Sequence, residues 1–112
     1  GSLSAADMVT FLYYEEMNVD AKNPKNPNRD RFVLSKGHTA PALYVNLADV
    51  GCFPKERLFD SYRRINGLLQ GHPCMKTPGV EIAGGSLGIG LSVAAGMALG
   101  NRYQDIKAEF IV

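Results

Sequence analysis

The amino-acid order predicts an α/β fold with helices flanking a parallel sheet, and three observations carry that prediction. Two short runs have strand character, Arg31-Phe32-Val33-Leu34-Ser35 and Ala108-Glu109-Phe110-Ile111-Val112. Helical periodicity lies before the first run and recurs between the two. The resulting order of helix, strand, three helices and strand implies like-directed strands joined by helical crossovers.

The elements follow in turn. Ser4-Ala5-Ala6-Asp7 has the form of a capping box, in which a hydroxyl and a carboxylate satisfy free amides of a first turn. Ala5, Met8, Val9, Leu12 and Tyr13 then recur at helical spacing, Glu15 and Glu16 face water, and Asn18 ends the helix. Asn23 to Asn28 is a loop, because Pro24 and Pro27 remove donors and disfavour helix before them. After the strand at Arg31–Ser35, a second helix is expected over Pro41–Val50, with Gly51 as its stop. Pro54 opens a third, amphipathic helix carrying Leu58, Phe59 and Tyr62. Ile65 to Gly85 has no sustained period, and irregular stretches of such length are often functional. A fourth helix is expected over Leu87–Asn101, with small residues that permit close backbone approach. The last strand ends at Val112 without a turn or charged stop, so the 112 residues read as one incomplete domain, a segment of something longer.

Composition narrows the classes. Apolar residues make up 46% of the chain, enough for a core, and the net charge is only +1. The basic residues are scattered, with Arg63-Arg64 the sole adjacent pair, which excludes a nucleic-acid footprint. No apolar run approaches the ~18 residues of a membrane span. Cys52 and Cys74 have neither metal-site spacing nor the density of a secreted scaffold. They read as packing residues in a reducing setting, and a cytoplasmic location is expected.

Three places offer chemistry. Ser35-Lys36-Gly37-His38 sits at a strand carboxyl end before a helix, where open α/β sheets bind ligands. Free amides and an imidazole there could hold a phosphate; a plain strand-to-helix turn is the other reading. Gln70-Gly71-His72-Pro73 fixes a histidine between glycine and proline, either for positioning or as an ordinary surface loop. Gly84-Gly85-Ser86-Leu87-Gly88-Ile89-Gly90 brings glycines to a helix start, for close ligand approach or for tight packing. It is neither a Walker loop nor a dinucleotide fingerprint. No histidine and cysteine spacing makes a metal site. Together these residues point to a phosphate-bearing cofactor and no further.

The same residues carry a family resemblance. Asp30 to His38, then Gly71-His72-Pro73, then Gly85 to Gly90 with Gly96-Met97-Ala98, resemble transketolase in order and spacing. Gly1-Ser2-Leu3-Ser4 and Glu16-Met17-Asn18 are similar to the N-terminal subunit of split bacterial transketolases. The resemblance covers essentially the whole chain and implies the thiamine-diphosphate-binding fold. It implies that His38 bonds the cofactor diphosphate and borders the substrate channel. His72 would reach a hydroxyl of the ketose donor and help move protons. Gly85, Ser86 and Leu87 would line the cofactor, with Leu87 helping to hold it bent. The implied reaction transfers a two-carbon ketol unit from a ketose phosphate to an aldose phosphate, as in the pentose phosphate pathway.

Thiamine diphosphate and Mg²⁺ are the implied cofactors, but the family's Gly-Asp-Gly…Asn metal motif is absent, so the metal ligands are expected outside this segment. The catalytic glutamate belongs to a pyrimidine-binding domain or partner chain, in a homo-oligomer or heterotetramer. Ser86 stands where proline is frequent and Ile89 where glutamine is usual; the latter removes the side chain for one local hydrogen bond, which apolar packing could replace. The segment alone is therefore expected to be inactive. The alternatives are a deoxyxylulose-phosphate synthase-like enzyme and a non-catalytic remnant that binds a partner subunit.

Overall fold

A computed structural model describes all residues from Gly1 to Val112. Helix α1 spans Leu3–Phe11 and runs on as a π-helical turn over Leu12–Glu16. Strand β1 is Arg31–Phe32, followed by a 3₁₀ turn at Gly37–Thr39 and helix α2 at Ala40–Asp49. Helix α3 (Arg57–Asp60), helix α4 (Ile89–Tyr103) and strand β2 (Phe110–Ile111) complete the chain. The strands pair in parallel with Arg31 opposite Phe110 and Phe32 opposite Ile111, so the α/β class with a parallel sheet holds. Both strands are shorter than the patterns at Arg31–Ser35 and Ala108–Val112. The ladder runs from the Arg31 amide on the Glu109 carbonyl to the Val33 amide on the Ile111 carbonyl, and Leu34 onward has no partner strand.

Helix α2 is the centre of the core. Ala40, Ala42, Leu43, Tyr44, Leu47 and Ala48 are all buried, as befits a helix apolar around most of its circumference. The buried Asn46 amide donates to the Ala42 carbonyl, which satisfies it within the helix. Ala5 and Val9 of α1 with Tyr13 of the π-helical turn form the stripe that packs on α2 and β1, and Tyr13 meets Phe32 edge-on at 6.0 Å. Met8 departs from the expected stripe and is exposed. No helix is long and apolar enough to cross a membrane.

Three local expectations are corrected. The capping box does not form: Ser4 donates its hydroxyl back to the Gly1 carbonyl, and Ser2, at the N-cap, makes no side-chain bond. The third helix shrinks to one turn because the Ser61 hydroxyl captures the Arg57 carbonyl and the chain then reverses through left-handed Arg63 and Asn66. Phe59 is consequently exposed. The fourth helix starts at Ile89 rather than Leu87, because Gly88 adopts a left-handed turn at φ +85°. Of its glycines only Gly90 makes a close approach; Gly96 and Gly100 face open space.

The core also sets an alkaline limit. Burial pushes the Tyr44 phenol up to about 12 and raises Tyr13 as well. An unfolded tyrosine ionises near pH ~10. Above that pH the unfolded chain has released protons that the folded chain retains, so stability falls as pH rises. It is fully present below pH ~10 and lost progressively toward about pH 12 for Tyr44. Urea midpoints at about pH 9 and about pH 11.5 should show this loss, and Tyr44→Phe should flatten part of it.

Candidate functional site

The site is built at the carboxyl end of β1, where three separate segments meet. After Phe32 the chain continues through buried Val33 and Leu34 to Ser35, then turns into the 3₁₀ segment that holds Gly37 and His38. Thr39, fully buried, donates its hydroxyl to the Lys36 carbonyl and closes that turn. His38 is exposed at its outer side.

Gly37 is the meeting point. A Cβ there would stand 2.6 Å from the Gly84 carbonyl oxygen and 2.9 Å from His72 Cδ2. Glycine is thus required for close approach: the turn needs no left-handed backbone at this residue. The contact joins the Ser35–His38, Gln70–Pro73 and Gly84–Gly90 segments in one place. A second contact reinforces the third segment, since the Gly90 amide donates to Ser35 Oγ at 3.2 Å.

The five residues singled out from sequence fall as follows. His38 and His72 both present exposed imidazoles, and the His72 ring touches Gly37. Gly85, Ser86 and Leu87 lie on the exposed turn ahead of α4, with Leu87 72% exposed and open space around Gly85. The fold therefore brings Gly37, His72 and Gly84 into contact, and leaves Ser86 and Leu87 standing clear of the protein's own core.

Two residues that sequence reasoning passes over hold this arrangement. The Tyr44 hydroxyl, on α2, donates to the Gln70 carbonyl at 2.8 Å and is shared with the His72 carbonyl at 3.2 Å. Glu81, three residues before Gly84, buries its carboxylate against Arg29 at 2.5 Å, with Arg31 Nε 3.9 Å from its other oxygen. The pairing with Arg29 is an ion contact without the alignment of a hydrogen bond, and Glu81 Oε1 and Arg31 Nε have no hydrogen-bond partner. Each had a faint signal in the sequence. Glu81 is the lone acid in the irregular stretch 65–85. Tyr44 is a phenol flanked by apolar residues in α2, and buried phenols need a partner.

The charge of the site suits an anion. Residues 35–38, 70–73 and 84–90 contain no carboxylate, while Lys36, two imidazoles and the Ser86 hydroxyl supply donors. No three His, Cys, Asp or Glu side chains gather to hold a metal ion. Cys52 and Cys74 are free, and burial raises the Cys52 thiol above its usual value, which keeps it inert.

The family pattern described as "Transketolase, thiamine diphosphate binding domain" matches residues 1–110. The chain belongs to this transketolase family. It is 45% identical over 109 residues to the transketolase of Pongo abelii, covering 97% of this chain and 17% of that protein. It is 44% identical to one subunit of the apulose-4-phosphate transketolase of Phocaeicola vulgatus, over 98% of this chain and 38% of the relative. A 6-deoxy-6-sulfo-D-fructose transketolase subunit from Clostridium is 49% identical over 95% of this chain and 38% of its own length. The transketolase structure from Leishmania mexicana superposes with a TM-score of 0.75 at 29% identity, over 89% of this chain and 17% of that one. The chain thus spans well under half the length of the transketolases it matches. The Ser-Lys-Gly-His turn, the Gly-His-Pro loop and the glycine turn all lie within the matched transketolase domain.

Proposed function

We propose that this chain forms part of the diphosphate-binding half of a transketolase that moves a two-carbon ketol unit from a ketose phosphate to an aldose phosphate. The observation that carries the proposal is the convergence of three donor-bearing, carboxylate-free segments on Gly37. Thiamine diphosphate, when bound, supplies the nucleophilic carbon for carbon–carbon cleavage, and the protein supplies orientation and electrostatics. His38, exposed at a helix start, would donate to the diphosphate. His72, held against Gly37, would bond a hydroxyl of the ketose donor and move protons there. Gly85, Ser86 and Leu87 would line the cofactor, and the exposure of Leu87 suits an apolar contact made only when a ligand or partner arrives.

The residues present do not supply a magnesium site, so any Mg²⁺ that accompanies the diphosphate would be held by ligands outside these 112 residues. The catalytic glutamate would come from a pyrimidine-binding domain or partner chain. The subunit names of the Phocaeicola and Clostridium relatives support a two-chain arrangement, homo-oligomeric or heterotetrameric in full. Cytoplasmic pentose phosphate metabolism is the setting that we propose.

Calorimetric titration of the chain with thiamine diphosphate and Mg²⁺, with and without a pyrimidine-binding partner chain, tests this. The chain alone is expected to show no ketol transfer, and cofactor heat should grow with the partner present. His38→Ala should weaken that binding at least about tenfold, a change of about 1.4 kcal/mol. Turnover by the isolated chain would show that these residues suffice, contrary to the proposal.

A further inference from the structure

We propose that Tyr44 is a positioning residue whose buried hydroxyl fixes the backbone of His72 relative to the turn that carries His38. The proposal rests on the ketol-transfer reading for what His72 does, and on geometry for how it is held.

The Gly-His-Pro loop lies in a stretch without regular secondary structure, so its backbone carbonyls have no ladder to join. Two of them, from Gln70 and His72, converge on one phenol at 2.8 and 3.2 Å. They flank Gly71, so the loop is bent around that hydroxyl. Tyr44 itself has little freedom: it is 1% exposed, belongs to the central cluster and meets Tyr62 edge-on at 6.2 Å. On its other side the His72 ring touches Gly37. Gly37 opens the 3₁₀ turn that leads directly into α2, the helix that bears Tyr44. His72 is therefore gripped twice by one continuous stretch, Gly37 to Tyr44, which also carries His38 between the two grips.

The chemistry explains why such a grip matters. A proton-moving imidazole loses rate steeply when its placement drifts, and sites on loops depend on supporting contacts for that placement. Phenylalanine at position 44 would keep the ring and its packing while leaving both carbonyls without their donor. Loss of the hydroxyl alone therefore isolates positioning from core volume.

A double-substitution cycle decides it, using Tyr44→Phe, His72→Ala and the pair in the enzyme assembled with its pyrimidine-binding partner. Tyr44→Phe is expected to lower kcat/KM for the ketose phosphate donor about tenfold while the Kd for thiamine diphosphate moves less than about twofold. In the His72→Ala background the same change should cost less than about twofold. Additive losses in the pair, or a parallel loss of cofactor affinity, would overturn the proposal. ¹⁵N relaxation and amide exchange give a readout independent of turnover. Tyr44→Phe should mobilise Gly71, His72 and Cys74 while α1 stays unchanged, and unaltered protection of that loop would overturn the proposal. Should no variant, nor the unsubstituted enzyme, transfer a ketol unit, the functional reading fails and the exchange data still judge the grip.

Discussion

Glu81→Leu is expected to cost about 3 kcal/mol of folding stability, near the lower end of what breaking a buried ion pair costs. The Glu81 side chain is 8% exposed, between Arg29 at 12% and Arg31 at 19%. Removing the carboxylate leaves two largely buried guanidinium groups without their shared counter-charge and with little water to screen them. Against a total stability of roughly 5–15 kcal/mol for a domain, that is a large fraction. Urea denaturation followed by circular dichroism should show the midpoint falling with an unchanged slope. Glu81→Gln should retain part of the loss, because the amide oxygen still faces Arg29. A cost below about 1 kcal/mol for Glu81→Leu would mean that the cluster is effectively solvated, like a surface pair.

Gly37→Ala should act on the site more than on the core. The new methyl group would press on the Gly84 carbonyl at 2.6 Å and on the His72 ring at 2.9 Å. An imidazole can swing aside, whereas a backbone carbonyl cannot move without taking the glycine turn with it. We expect about 1–3 kcal/mol of destabilisation, the range of overpacked positions. We also expect thiamine diphosphate affinity to fall at least about tenfold in the partnered enzyme. Gly96→Ala is the matched control. It sits inside α4 with nothing within 4 Å of its new methyl, so it should be neutral or stabilise by up to about 1 kcal/mol. Equal effects of the two substitutions on cofactor binding would refute the close-approach account of Gly37.

What was legible in the sequence follows the range of the interaction that decided each element. Helix α2 could be read to within a residue because its apolar face and its stop at Gly51 are local signals. The third helix could not, since its end is set by the Ser61 hydroxyl and by left-handed Arg63 and Asn66, none of which breaks a hydrophobic period. Ser4 carried the right chemistry for a cap and gave its hydrogen bond to Gly1 instead. The strands were recognised by type but overextended, because pairing length depends on a partner strand that periodicity does not show.

The candidate site divides in the same way. Its histidines and glycines announce themselves by motif. The contact between Gly37 and Gly84, and the reach of Tyr44 to the His72 carbonyl, join residues far apart in the chain and leave no local trace. Glu81 is the instructive case: it belongs to no motif or period, and its burial is set by Arg29, just before β1, and Arg31, within it.

The parallel pairing of β1 with β2 has a kinetic side. Asp30 accepts the Asn18 amide through one oxygen and the Glu109 amide through the other, a bond that spans 79 residues. Every motif of the site lies inside that loop. Contacts of such separation form late, because the entropy of closing the loop opposes them until local structure is in place. The helices can therefore assemble before the strands pair, and the loop that encloses the site's three segments closes only when the two distant strands meet.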